Sequence, residues 1–529
     1  MRKLILFIFP YLILFACQGQ ESRNISLQSS KYVNFNKLGF YLDGGNPEIL
    51  YYRFNHDSTI LFVDSYSQNL SRLKTREIPL PEYIKIMTIE EVKLSENLIS
   101  IVSHFYDKKE NKTYFYRESF DLSTLKSTGN LKMFLDFNGN IFNSSFCKIL
   151  KRNQKVLYFF ADSLTIYDSI QNISFAIIDS TLNIIHQEQN FLFPFDKTVT
   201  VDDVTFSDST LVLLNKEYQK STDYFLKDTL WIEFGKFTSF NIEPRQNYIY
   251  SLTEFNFTQP LNNDKRIITH KINPFDYHIR KAGIFMTKEN SILLYGITTS
   301  AKNRNVNGIF SGLFQLGYPS EFHLIKVIPF TMDYVNLYKT KKELRQINEA
   351  KKSGLSYDNY SYKFQPLMET ESGFILMIEQ ELKFTISKKS KDGWELEPFA
   401  KRDDLHVLFI GSNGGSETLV KVPKRQLFGG SFTALSGNMA TTYFSGNLHI
   451  FVADIRYMNY NGRKTQINNI IHYTIGNNRI LTQEILPVYK HISSNILLTN
   501  NWLNDYTNLS LSHSMIGQKG KIIQLNLPH

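Results

Sequence analysis

Short apolar runs of about five to eight residues recur along this chain of 529 residues, and a polar or turn-forming residue stands before each of them. The runs are rich in β-branched and aromatic residues, which suit the pleated surface of a sheet. They are too short for ordinary helices, so each one predicts a β-strand. Seven of these runs lie at residues 59–63, 98–102, 155–160, 210–214, 291–295, 374–378 and 447–452.

Turn signals between the runs predict that the strands follow one another as a meander. Asn138-Gly139 and Asn461-Gly462 are examples, and Asn-Gly is a strong hairpin signal. The starts of successive units lie 39 to 83 residues apart, whereas a propeller blade takes about 40 to 50 residues. Long loops absorb such differences in length. We therefore predict an all-β, β-propeller-like fold with about seven irregular blades.

One segment departs from the strand pattern. Residues 334–352 have helical spacing of apolar positions, and Gly354 follows them. This pattern predicts one helix inserted into the β structure, acting as a surface brace.

The composition agrees with a folded β-rich body. Apolar residues make up 42% of the chain and aromatic residues 14%, with 42 Phe and 30 Tyr. Such a content favours a buried core over disorder, and the aromatic bias favours strands. No glycine-rich or proline-rich linker divides the body, so residues 31–529 are predicted to form one propeller-like domain.

The N-terminus has the features of a secretion signal. Arg2 and Lys3 are basic, and residues 4–16 form an apolar stretch of 13 residues that is too short to span a bilayer. A core helix is the alternative, but no element precedes the segment to pack against it.

The end of this leader resembles a bacterial lipoprotein processing site. Leu14 lies three residues before Cys17, and the small residue Ala16 lies directly before it. The resemblance implies a signal peptide over 1–16, lipidation of Cys17, and a polar tether over 17–30 that connects the body to a membrane. Gln18 after the cysteine points, by the habit of that family, to the outer membrane of a cell envelope.

The net charge of +9 raises the possibility of an anionic partner. The 59 basic residues are scattered among 50 acidic ones, and no arginine-rich strip or nucleic-acid module is present in the sequence. We therefore expect no nucleic-acid partner, and general surface charge near an anionic envelope accounts for the excess.

Common catalytic and cofactor motifs are absent from the sequence. It contains no His-Glu-x-x-His, no Walker-type loop, no Gly-x-Ser-x-Gly and no Cys-x-x-Cys. The 12 histidines are dispersed, and His406 and His449 are interpreted as structural residues within strands. Cys147 is expected to be a buried structural thiol. We predict no cofactor and no metal site.

Acidic residues close six of the seven apolar runs. Because equivalent blade strands run in the same direction, these carboxylates would gather at one rim of the body, where they could bind a cation, a basic peptide or sugar hydroxyls. The alternative is that they simply end strands and cap turns. The candidate rim carboxylates are Asp64, Asp107, Asp162, Glu217, Glu379 and Asp454.

Three tyrosines near the end of the helical segment, Tyr357, Tyr360 and Tyr362, are candidates for stacking on a sugar ring or on a partner's side chains. Alternating aromatic residues are equally typical of an ordinary strand.

From about residue 334 to 500 the chain resembles uncharacterised secreted bacterial proteins with propeller-like folds. The matching segments are 351–357, 371–376, 404–407 and 421–426. The resemblance implies a propeller-like body and no particular activity. Three functions stay open: a lipid-anchored envelope protein that binds a protein or glycan through propeller loops, a propeller enzyme acting on polysaccharide through paired carboxylates, and a structural subunit of an envelope complex.

Overall fold

The computed structural model places most of the described chain in β-strands. The described residues are 26–29, 38–42, 49–54, 60–66, 72–94, 98–129, 131–141, 144–162, 172–191, 198–218, 248–259, 267–272, 278–299, 305–316, 326–353, 358, 360–390, 393–424, 426–429, 439–444, 446–455, 468–476, 479–487, 496–497, 508–513 and 522–526.

The strands form eight antiparallel sheets within these ranges, and in six of them consecutive strands pair as a meander. Sheet 1 contains β2 Leu38–Leu42, β3 Ile49–Phe54, β4 Ile60–Tyr66 and β5 Arg72–Pro79, and sheet 2 contains β6 Thr88–Leu94, β7 Leu98–Asp107, β8 Lys112–Asp121 and β9 Lys132–Asn138. Sheet 3 contains β10 Ser144–Arg152, β11 Lys155–Asp162, β12 Ile173–Ile178 and β13 Ile184–Phe191. Sheet 4 contains β14 Val199–Phe206, β15 Thr210–Tyr218, β16 Tyr248–Asn256 and β17 Ile267–Ile272. Sheet 5 contains β18 His278–Met286, β19 Ser291–Thr299, β20 Val306–Gln315 and β21 Lys326–Pro329. Sheet 6 contains β22 Ser361–Phe364, β23 Met368–Thr370, β24 Gly373–Ser390, β25 Gly393–Gly411, β26 Ser416–Val422 and β27 Gln426–Gly429. In the six-stranded sheet 6, β22 and β23 both pair with β24, and β26 and β27 both pair with β25. Sheet 7 contains β28 Met439–Phe444, β29 Asn447–Ile455, β30 Asn468–Gly476 and β31 Arg479–Pro487.

The eighth sheet joins the two ends of the described chain. It contains β32 Ile496–Leu497, β33 Asn508–His513 and β34 Ile522–Asn526, with β1 Ser26–Ser29 paired antiparallel to β34. The first strands of several neighbouring sheets contact each other, as β10 does with β14 and β14 with β18. A meander repeated from sheet to sheet and closed by strands from both ends is a propeller arrangement, so the predicted all-β, propeller-like class is confirmed.

The structure contains eight sheets where about seven blades were expected. The additional sheet is the closing one, and none of the seven apolar runs lies in it. Its strand β1 falls within the residues that were assigned to the tether.

Hydrophobic cores lie between successive sheets, and this explains why the central strands are apolar at nearly every position. In β15, Leu211 and Leu213 face the core shared with sheet 3. Val212 and Leu214 face the core shared with sheet 5. Because both faces of a sheet are covered, the alternation of apolar and polar residues expected of a half-exposed strand is lost. The uninterrupted apolar runs in the sequence are therefore the inner strands of packed sheets.

Two helices and a short 3₁₀ turn complete the described structure. The 3₁₀ turn is Glu82–Ile86, and helices α1 Met332–Asn336 and α2 Lys341–Lys352 connect sheet 5 to sheet 6. The helix expected over 334–352 is thus divided into two. Tyr338 has a φ of +64°, which no helix accommodates. Thr340 then begins α2 with a capping box, in which its side chain and that of Glu343 bond reciprocally to the backbone.

Candidate functional site

A cavity of about 440 Å³ lies between the two helices and sheets 5 and 6. Helices α1 and α2 form one wall, and strands β22, β24, β25 and β26 supply the opposite wall. We call it the helix-walled cavity. Its lining residues include Phe330, Tyr334, Lys339, Glu343, Asp358, Tyr360, Tyr362, Gln380, Lys401, His406 and Lys421.

A β-bulge determines the chemistry beneath this cavity. In the pairing of β24 with β25, Glu379 lies opposite Leu405 and Glu381 lies opposite Arg402, so Asp403 and Asp404 together oppose a single residue. An extra residue of this kind breaks the strand alternation locally and redirects side chains. The bulge thereby places two consecutive carboxylates within the sheet, and both are about 1% exposed.

Three lysines neutralise the carboxylates around the cavity. The Nζ atom of Lys339 lies 2.7 Å from Oδ2 of Asp404, and the Nζ atom of Lys421 lies 3.1 Å from the same oxygen. The Nζ atom of Lys401 lies 2.8 Å from Asp403 and 3.7 Å from Glu343. The three ammonium groups therefore face three carboxylates, and their formal charges cancel.

The pKa values reflect this balance. Burial opposes the charged form of Lys339, but the charges of Asp404 and Asp403 outweigh it and raise the pKa of Lys339. Burial likewise opposes ionisation of Asp403, yet Lys339 and Lys401 lower its pKa. Burial does prevail at Lys421 and lowers its pKa despite the charge of Asp404. Of Lys339 and Lys421, only Lys421 has a protonated form that its surroundings disfavour.

His406 lies at the centre of the aromatic part of the wall. Its ring stacks on Phe330 at 5.0 Å, and its Nδ1 shares a hydrogen bond of 2.7 Å with the hydroxyl of Tyr334. Burial, reinforced by the charges of Lys421 and Lys339, holds its pKa well below the ordinary value. The imidazole is neutral at physiological pH.

Two buried polar atoms of the wall are unsatisfied within the described part of the chain. They are Nε2 of His406 and Oε1 of Gln380. Buried polar groups in proteins almost always have a hydrogen-bond partner, because an unpaired one costs about 1 to 3 kcal/mol. Both atoms belong to residues that line the helix-walled cavity.

Hydrogen bonds hold Tyr362 on β22 and Tyr360 just before that strand. The hydroxyl of Tyr362 donates to Oδ2 of Asp358 at 2.8 Å, and the guanidinium of Arg280 donates to the carbonyl of Tyr360 at 2.7 Å. The hydroxyl of Tyr360 donates to Asp403. Burial is the first cause that raises the pKa of both tyrosines, so both remain protonated. Two of the three predicted stacking tyrosines therefore line the cavity, and Tyr357 lies outside the described residues.

The structure places the candidate rim carboxylates on strands of six different sheets. Asp107, Asp162 and Glu217 lie at or near the ends of the second strands of their sheets, as the hypothesis requires, and Asp454 lies on the second strand of sheet 7. Asp64 lies instead on a third strand, which runs in the opposite direction, and accepts a hydrogen bond of 2.5 Å from Thr75.

The contacts of these residues differ as well. Asp107 accepts the backbone N–H of Lys109 at 2.8 Å and thus caps a turn. Glu379 is fully buried and forms an ion pair with Lys424, next to the cavity wall. Asp107 and Asp162 end the second strands of the consecutive sheets 2 and 3.

Cys147 is not buried, contrary to expectation, because it lies on an exposed position of edge strand β10. Partial burial of the thiol and the nearby charge of Glu90 raise its pKa to about 11. The sulfur is thus protonated at neutral pH and is a poor nucleophile. Cys17 lies outside the described residues.

None of His406, Lys339 and the two bulge carboxylates was predicted to belong to a site. The one signal available was the run Lys401-Arg402-Asp403-Asp404, where four consecutive charged residues interrupt the strand pattern. In the described ranges, no group of three or more His, Cys, Asp or Glu is arranged to hold a metal ion. None of the described helices is long and apolar enough to cross a membrane.

Comparison with known proteins adds similarity of fold at low scores. No family model matches the chain, and no curated protein matches it. The β-propeller domain of the Trilobed protease from Pyrococcus furiosus aligns with 88% of this chain and 98% of its own, at 10% identity and a TM-score of 0.31. The polysaccharide lyase Uly1 aligns with 83% of this chain and 89% of its own, at 10% identity and a TM-score of 0.31.

The β-propeller domain of Nup133 from Vanderwaltozyma polyspora aligns with 83% of this chain and 99% of its own, at 9% identity and a TM-score of 0.31. One architecture commonly hosts many functions. Likeness at these scores carries no argument about what this chain does.

Proposed function

We propose that this chain is a lipid-anchored envelope protein that binds a glycan, and that the helix-walled cavity holds an uncharged sugar ring. The observation that carries the proposal is the combination, in one cavity of about 440 Å³, of fixed tyrosine rings with unsatisfied polar atoms. A sugar needs both, since its C–H face packs on an aromatic ring while its hydroxyls require donors and acceptors.

The balance of charge favours an uncharged ligand. Lys339, Lys401 and Lys421 are already paired with carboxylates, so an acidic sugar would bring a charge without a counter-ion into a partly desolvated site. Such a burial is unfavourable. A neutral ring avoids this penalty and supplies hydroxyls for His406 and Gln380.

The same contacts favour binding over hydrolysis. A glycosidase requires one carboxyl group with a raised pKa as an acid and a second carboxylate beside it. Asp403 has a lowered pKa, and Asp404 accepts from two ammonium groups. These carboxylates are held as counter-ions, and no contact of the cavity supports a separate acid role for either.

Binding can be measured by titration calorimetry of the purified full-length chain with hexasaccharides of glucose, mannose, xylose and galacturonate. We expect at least one neutral hexasaccharide to bind and galacturonate to bind less tightly. Tyr360→Leu removes the ring and should weaken binding about tenfold, since an aromatic contact contributes about 0.5 to 1.5 kcal/mol. Tyr360→Phe keeps the ring and should bind within about threefold of the wild type.

Tyr116→Leu, in sheet 2, is the matched control for loss of a tyrosine elsewhere. The proposal is wrong if no neutral hexasaccharide binds, or if Tyr360→Leu and Tyr116→Leu bind equally well.

The proposed anchor rests on Leu14, Ala16 and Cys17. Cys17→Ser should leave an unlipidated precursor that is lost from the membrane fraction. Unchanged retention of this variant in membranes would refute the lipid anchor without affecting the cavity.

A further inference from the structure

A second cavity of about 460 Å³ lies at the edge of sheets 2 and 3, where β7, β9 and β11 end. Its polar lining consists mainly of amide side chains, and we call it the asparagine cleft. The polar lining residues on which the argument depends are Tyr106, Asn111, Asn138, Asn140, Asp162 and Asn190.

Hydrogen bonds across the two sheets fix the floor of the cleft. Gln187 and Gln189 on β13 each donate from Nε2 to the carbonyl of Asp136 on β9, at 2.6 and 3.2 Å. The backbone N–H of Asn138 in turn donates to Oε1 of Gln189 at 3.0 Å. The cleft is thus bounded by sheets that are tied together at this point.

The backbone presents two of the asparagines in a defined way. Asn111 and Asn190 have φ values of +53° and +52°. The hydroxyl of Tyr106 donates to Oδ1 of Asn111 at 2.9 Å, and the N–H of Asn190 donates to Oγ of Ser174 at 3.0 Å. The side-chain amides of Asn138 and Asn190 make no hydrogen bond to other residues in the described ranges.

The charge of the lining indicates the class of ligand. Asp162 is the only charged residue among the described residues that line the cleft, and none of them is lysine or arginine. An anion therefore has no counter-charge here, and calcium, which takes six to eight oxygens and usually several carboxylates, finds one carboxylate. Amides and a carboxylate together offer donors and acceptors to a neutral ligand rich in hydroxyls.

We propose that the asparagine cleft is a second binding site for an uncharged, polyhydroxylated ligand, namely a glycan segment. The amides of Asn138 and Asn190 exchange hydrogen bonds with neighbouring hydroxyls, Asp162 accepts from hydroxyl donors, and the ring of Tyr106 borders the sugar. This site shares no residue with the helix-walled cavity.

The test uses calorimetric titration of the full-length chain with cellohexaose, mannohexaose and xylohexaose. The informative variant is Asn138→Ala with Asn190→Gly, since glycine retains the left-handed backbone at position 190 while it removes the amide. We expect two binding events in the wild type. In this double variant, the Kd of one of them should rise at least tenfold. Tyr360→Leu should weaken only the other event.

The outcomes separate the two proposals. If the double variant keeps both events unchanged while its circular dichroism spectrum is also unchanged, the asparagine cleft is not a glycan site. If the cleft event is lost in the double variant but Tyr360→Leu changes nothing, the second site stands and the function proposed for the cavity fails. Calcium binding that Asp162→Asn abolishes, with no hexasaccharide bound at the cleft, would overturn the inference in favour of a cation site.

Discussion

Asp404→Asn is the sharpest perturbation of the network beneath the cavity, because it removes one charge and changes the shape of the side chain very little. Oδ2 of Asp404 lies 2.7 Å from Lys339 and 3.1 Å from Lys421. Lys339 keeps Asp403 at 3.7 Å as a counter-ion. Lys421 keeps the carbonyl oxygens of Tyr334 and Val335, at 3.1 and 3.0 Å, the ring of Tyr334 at 5.6 Å, and the more distant charge of Asp403. The loss therefore falls mainly on Lys421.

The loss in the free energy of unfolding caused by Asp404→Asn has an upper bound. Removing one partner of a buried ion pair typically costs about 3 to 5 kcal/mol. Lys421 can also avoid the penalty by losing its proton, which at pH 7 costs about 5 kcal/mol for a group with an unfolded pKa near 10.4. The free energy of unfolding should consequently fall by about 3 to 5 kcal/mol.

The pH dependence follows from the same residue. In the variant, the folded state disfavours protonated Lys421, whereas the unfolded chain binds the proton up to a pH of about 10.4. The unfolded state then holds more protons, so the stability of the variant should rise with pH relative to the wild type, by up to about 1.4 kcal/mol per pH unit.

Urea unfolding followed by both circular dichroism and fluorescence measures the effect, provided that the two transitions coincide. Glu349→Gln is the control, since it breaks an exposed pair with Arg345 and should cost less than about 0.5 kcal/mol. Adding Lys421→Met to Asp404→Asn should recover part of the loss, because the unpaired charge is removed. A loss below about 1 kcal/mol for Asp404→Asn would refute the assignment of a buried, charge-balanced network.

Three further predictions follow from other parts of the molecule. Burial lowers the pKa of His472 to about 3 and that of His406 well below its ordinary value. The free energy of unfolding should therefore be at its full value above a pH of about 6.5 and fall by about 1.4 kcal/mol per pH unit and per histidine below it. Thermal melts between pH 7.5 and 5 check this, and a melting temperature that does not change over this range contradicts it. Gly373→Ala should lower the melting temperature sharply, since a Cβ there would lie 2.1 Å from a backbone oxygen at a φ of +146°, whereas Gly129→Ala meets nothing within 4 Å and should change little. Cys147 should react slowly with iodoacetamide at pH 7.5 and faster as the pH approaches 11, because its pKa is raised to about 11; fast labelling at pH 7.5 would show that the thiol is not shifted.

The strands could be predicted from the sequence for a physical reason. Inner strands such as β15 are covered on both faces, and this makes continuous apolar runs that stand out from their surroundings. The break between the helices also had a local cause, since Thr340 and Glu343 form a capping box three residues apart. The helical spacing of residues 334–352 nevertheless predicted one longer helix.

The site was harder to predict because it depends on pairings between distant residues. The bulge that brings Asp403 and Asp404 beside Lys339 arises from the register of β24 against β25, and no local period encodes a register shift. Tyr360 and Tyr362 were identified from their alternation alone, which could not show that α1 and α2 enclose them. The closing pairing of β1 with β34 joins opposite ends of the chain and likewise leaves no local signal.

The most direct test of the account is a crystal structure of the full-length protein with the neutral hexasaccharide that binds most tightly. We predict a sugar ring in the helix-walled cavity, packed on Tyr360 or Tyr362 and hydrogen-bonded to Nε2 of His406 or to Oε1 of Gln380. An empty cavity in a crystal whose protein carries the sugar elsewhere would contradict the central claim.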